Sequence, residues 1–86
     1  MSGPIPVRVM VTPTWDEVRL ELPADTPIAE LKRRALELGM VTDDPGRYLI
    51  KYRGALLSDE GRSLAQAGIA RNAPLIVLPR RRQPVR

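Results

Sequence analysis

The chain has 86 residues, 43% of them hydrophobic, with no cysteine, no histidine and a formal net charge of +4. That length holds one domain and one modest core. Without thiols or imidazoles the chain has no disulfide, none of the common zinc ligands and no near-neutral proton shuttle, so neither an enzyme nor a metal or cofactor site is expected.

Taken in chain order, residues 1–6 contain two prolines and read as a flexible lead-in. Met1-Ser2-Gly3-Pro4 has no basic or apolar leader pattern, and no apolar run nears the ~20 residues that span a bilayer. A cytoplasmic protein without membrane insertion is expected. Val7, Val9 and Val11 alternate with Arg8, Met10 and Thr12, the period of a half-buried strand. Turn formers at 12–17 interrupt the alternation, which resumes at Val18, Leu20 and Leu22 and so completes a hairpin.

Pro23 to Pro27 closes the hairpin and opens a helix, with Asp25 or Thr26 as the expected N-cap. Ile28, Leu31, Ala35 and Leu38 form its apolar stripe; Glu30, Lys32, Arg33, Arg34 and Glu37 cover the rest, and Gly39 takes a C′-like end position. Residues 42–46 are a loop. A third strand follows, with Ile50 and Tyr52 facing in and Leu49, Lys51 and Arg53 facing out; Leu56 and Leu57 tuck in after the Gly54 turn. Residues 58–69 hold too many turn formers for a long helix, but Leu64 and Ile69 anchor them to the core. Leu75-Ile76-Val77-Leu78 is the last strand, stopped by Pro79.

The pattern predicts an α+β domain over 7–79, a β-grasp with a four-to-five-stranded mixed sheet crossed by one α-helix and a basic tail at 80–86. The first and last strands are expected to be parallel neighbours at the sheet centre. The stretch Tyr48–Leu57, followed by Gly61-Arg62-Ser63-Leu64, Ile69 and Leu75–Leu78, resembles the second half of ubiquitin, and Asp25-Thr26 and Leu31-Lys32 resemble parts of its first half. The resemblance runs from Val7 to Arg80. It implies a ubiquitin-like protein. Conjugation in the manner of ubiquitin requires a terminal Gly-Gly, and no glycine follows Gly68. A non-conjugating bacterial type is expected, similar to the YukD/EsaB small proteins associated with type VII secretion or to accessory subunits of multicomponent enzymes. The alternative is a covalent modifier with an atypical, non-diglycine end.

Residues 1–46 carry five basic and eight acidic side chains, and residues 47–86 nine and two, which favours an acidic surface on a larger protein partner. In register with Gly54, the resemblance places Lys51, Ile76 and Leu78 on the face by which ubiquitin is gripped, with Leu49 beside them and Arg47 and Arg80 at its rim. Trp15 at the hairpin tip is either part of that grip or core cover folded over the helix or last strand. Arg80, Arg81, Arg82 and Arg86 form the basic tail. Three aromatics in all do not make a stacking platform, so nucleic acid ranks below an acidic protein partner. Asp43-Asp44 and Asp59-Glu60 read as turn and capping pairs rather than metal or acid–base sites.

Overall fold

The computed structural model describes residues 3–80. The elements are β1 (Ile5–Val11), β2 (Asp16–Leu22), α1 (Ile28–Leu38), β3 (Tyr48–Tyr52), β4 (Ala55–Leu56) and β5 (Ala73–Pro79), with a 3₁₀ turn at Pro45–Arg47. The sheet order is β2-β1-β5-β3-β4. β1 and β5 are parallel, with Val9 opposite Leu75 and Val11 opposite Val77; the remaining neighbours are antiparallel. The mixed sheet with one helix expected of a β-grasp is therefore present, central parallel pair included.

Alternation decides the core. Val7, Val9, Val11, Leu20, Leu22, Ile50, Leu75 and Val77 are buried at every second strand position and form one cluster with Ile28, Leu31, Ala35 and Leu36 of α1. Each of the Val, Leu and Ile side chains contributes roughly 1.5–3 kcal/mol through its removal from water. Leu64 and Ile69 anchor the 57–72 connector, as expected.

Several expectations are corrected. β1 begins at Ile5, because Ile5 and Pro6 lie opposite Leu22 and Glu21, so these two residues belong to the sheet rather than to a lead-in. β5 runs through Pro79 and starts two residues earlier than its apolar run. The N-cap of α1 is Pro27, with no side-chain cap bond, rather than Asp25 or Thr26. At 100° per residue Lys32 lies only ~40° from Ile28, whereas Leu36 and Leu38 lie ~80° to either side. Packing buries Lys32 and Leu36 and leaves Leu38 53% exposed. Leu56 is also exposed, while Leu57 packs on the core. Gly39 is not left-handed; Met40 takes that conformation, at φ 66°. Glycine is required at 39 by space, since a Cβ there would sit 2.9 Å from Val11 Cγ1.

The missing cap explains the connector. The first N–H groups of a helix have no partners within it. Here Ile28 N–H donates to the Arg62 carbonyl at 2.8 Å and Ala29 N–H to the Glu60 carbonyl at 2.9 Å. In return Leu64 and Ala65 N–H donate to the carbonyls of Thr26 and Ala24. Lys32 completes the clasp: its ammonium donates to the Tyr48 carbonyl at 2.9 Å and to the Glu60 carboxylate at 2.8 Å. Helix, connector and third strand thus meet at one buried charge.

Removing one partner of a buried pair strands the other. Glu60→Ala is expected to lower stability by about 3 kcal/mol. The double variant Lys32→Met/Glu60→Leu should recover most of that loss, because no uncompensated charge remains. Urea unfolding of the three proteins checks this order.

Candidate protein-binding surface

The helix covers one face of the sheet, and the alternation that buries the core sends the intervening residues to the other face. Met10 on β1 lies opposite Glu17 on β2 and opposite Ile76 on β5, and Ile76 lies opposite Lys51 on β3. Glu17, Met10, Ile76 and Lys51 therefore form one row across four strands. In the next row Leu78 lies opposite Leu49. Met10, Ile76, Leu78 and Leu49 are each half-buried and make an apolar strip.

Trp15 closes one side. It is 74% exposed, at φ 54° in the hairpin turn, so it is not core cover. A bulky residue in this conformation is strained. The turn is tied down by Thr14, whose hydroxyl donates to the Gly39 carbonyl at 3.0 Å. Trp15, Met10, Ile76 and Lys51 line a shallow depression of about 430 Å³, together with Arg8, Glu17, Arg53 and Pro74. The hairpin turn and the strand pairing thus bring Trp15, Lys51 and Ile76 around one depression, and Leu49 and Leu78 adjoin them.

Charge on this face is mostly positive. Glu17 is engaged by Arg8 at 3.5 Å. Lys51 and Arg53 form no ion pair among the described residues, and the Arg53 guanidinium sits 5.9 Å from the centre of the Tyr52 ring. Arg47 and Arg80 meet at the rim. Arg80 N–H donates to the Arg47 carbonyl at 2.9 Å, and its Nε donates to the Gly46 carbonyl at 2.7 Å. Arg81, Arg82 and Arg86 lie outside the described residues.

Met10, Arg8 and Arg53 were not singled out from the sequence as part of this surface. The signal for Met10 was available: it alternates outward with Arg8, and a parallel β1–β5 pair sets it beside Ile76.

The acidic pairs act locally. Asp44 accepts from Gly46 N–H at 3.0 Å and Asp59 from Gly61 N–H at 3.2 Å. Glu60 holds Lys32 and Asp43 accepts from the Tyr48 hydroxyl at 2.9 Å. No group of three or more potential metal ligands occurs among the described residues. No helix among the described residues is long and apolar enough to cross a membrane.

No family model matches the chain, and no curated protein matches its sequence. Solved structures do match. The ubiquitin-like domain of an Arabidopsis thaliana protein superposes with a TM-score of 0.77 at 19% identity, over 99% of this chain and 86% of that one. The fold is ubiquitin-like. The ubiquitin of Caldiarchaeum subterraneum gives 0.77 at 14% identity, over 95% and 100% of the two chains. A designed protein based on ubiquitin gives 0.80 at 19%, over 96% of each. On this ubiquitin-like fold the Met10–Ile76 strip is the face opposite the helix.

Trp15→Ala removes a side chain with little burial, so stability should change by no more than about 0.5 kcal/mol. In the unsubstituted protein, the fluorescence of Trp15 should resemble that of tryptophan in water. An emission typical of a buried indole contradicts the placement.

The Tyr48 hydroxyl is held above its ordinary pKa of 10.0, first by its hydrogen bond to Asp43 and then by burial. The raised value favours the protonated phenol in the fold. The associated stability is complete below about pH 10 and is lost as pH rises through the folded-state pKa. Ultraviolet titration should show one late-ionising phenol, which Asp43→Ala returns toward the ordinary range.

Proposed function

We propose that the chain is a non-catalytic interaction module that holds a larger protein non-covalently through its open sheet face. The observation that carries the reading is the joining of an apolar strip to cations that have no carboxylate partner among the described residues. Met10, Ile76, Leu78 and Leu49 supply area that gains on leaving water, and Trp15 supplies an exposed aromatic of the kind that dominates binding energy. Lys51, Arg53, Arg47 and Arg80 select a partner with an acidic surface, and Arg81, Arg82 and Arg86 extend that positive charge in sequence. Such charges act chiefly on encounter rate and on rejection of wrong partners.

The reading places the chain among bacterial, cytoplasmic ubiquitin-like proteins of the YukD/EsaB kind, or among accessory subunits of enzyme complexes. Its support is the ubiquitin-like fold and the arginine-rich composition. Similarity in fold to an archaeal ubiquitin favours a second reading, covalent modification of other proteins by a non-diglycine end.

Ile76→Asp with Leu78→Asp is expected to abolish capture of the partner from a lysate of the native cell. The thermal midpoint should fall by less than about 8 °C, corresponding to about 1 kcal/mol in a domain of this size. Undiminished capture refutes the surface. Intact-mass measurement of the protein from the same cell separates the two readings: free chain supports docking, and amide-linked adducts support modification.

A further inference from the structure

We propose that Lys51 is this chain's lysine acylation site and that amide formation there switches off the sheet face. The switching half rests on the binding function proposed above. The chain has only two lysines. Lys32 is closed to chemistry: its side chain is 4% exposed, and its nitrogen is held 2.9 Å from the Tyr48 carbonyl and 2.8 Å from Glu60. An acyl donor reaches that nitrogen only if the connector lifts away from the helix.

Lys51 is the opposite case. It lies on β3 between Ile76 on one neighbouring strand and Leu56 on the other. The residue is half-buried in the sheet, its side chain makes no hydrogen bond or ion pair among the described residues, and it lines the open depression with Arg8, Glu17 and Arg53. A cationic concavity around a single reachable amine draws anionic donors, and an acyl phosphate is both anionic and activated.

The step is a plain acyl transfer. The Lys51 ammonium gives a proton to water, and the freed amine attacks the carbonyl carbon of acetyl phosphate. The C–N bond forms, the bond from carbonyl carbon to phosphate oxygen breaks, and phosphate departs with the electron pair and takes up the second proton lost by the nitrogen, leaving as hydrogen phosphate; nothing is oxidised or reduced. The neutral amide can no longer pair with a partner's carboxylate, and it removes the positive charge that ends the Glu17–Met10–Ile76–Lys51 row. Arginine at 51 preserves the charge but cannot form this amide.

The test treats the full folded chain with acetyl phosphate and follows each lysine by peptide mapping. Lys51 should be acetylated well ahead of Lys32, and the two rates should converge in urea. Equal rates in the folded protein, or an unreactive Lys51, overturn the site. Capture of the protein that wild type retains, and that Ile76→Asp/Leu78→Asp loses, tests the switch. Acetylated protein and Lys51→Gln should lose it, while Lys51→Arg should keep it. If the double aspartate variant fails to bind while acetylated protein still binds, the switch is wrong and the surface stands. If both still bind, the surface is wrong and the switch falls with it.

Discussion

One buried ammonium ties three separate elements of this small domain to one another. Lys32 comes from the helix, the Tyr48 carbonyl from the start of the third strand and Glu60 from the irregular connector. An ion removed from water this far costs several kcal/mol, so it persists only because its partners are well placed. The placement is shared work: the same connector supplies the carbonyls of Arg62 and Glu60 that satisfy the first helical N–H groups. A charge on the helix thereby fixes where an otherwise featureless loop must lie.

The clasp has consequences for function. With the connector pinned beside the helix start and the helix packed on the inner face, the outer face is left to present its alternate residues. β1 and β5 lie parallel at the centre, so Met10 and Ile76, 66 residues apart in sequence, become direct neighbours. Lys51 and Glu17 then end the row with opposite charges, and Arg8 is already engaged with Glu17. The excess positive charge lies at the Lys51 end. The open face thus combines apolar area with an excess of positive charge. The same packing also sorts the two lysines, one sealed by its hydrogen bonds and the other facing the open depression at the end of the row.

The strain at the hairpin tip fits this arrangement. Trp15 holds a left-handed conformation and a largely exposed ring, both unfavourable for a bulky residue in an isolated domain. The Thr14–Gly39 hydrogen bond anchors the turn against the end of the helix. Met40 carries a similar left-handed conformation, next to Gly39, which packs closely against Val11.

Residue pattern alone determined the alternating strands around Val9, Leu20, Ile50 and Val77, the helix between Ile28 and Leu38, the anchors Leu64 and Ile69, and the outward placement of Lys51 and Ile76. These follow from periods of 2 and 3.6 residues, which act locally and are written in the chain. Only the tertiary structure decided that Lys32 goes in while Leu38 stays out, that backbone carbonyls rather than Asp25 or Thr26 cap the helix, and that Met10 joins Ile76. A period fixes the angle at which a side chain leaves its element; it does not say what waits there. Leu36 and Leu38 leave the helix at equal angles from Ile28, and only neighbours distant in sequence distinguish them.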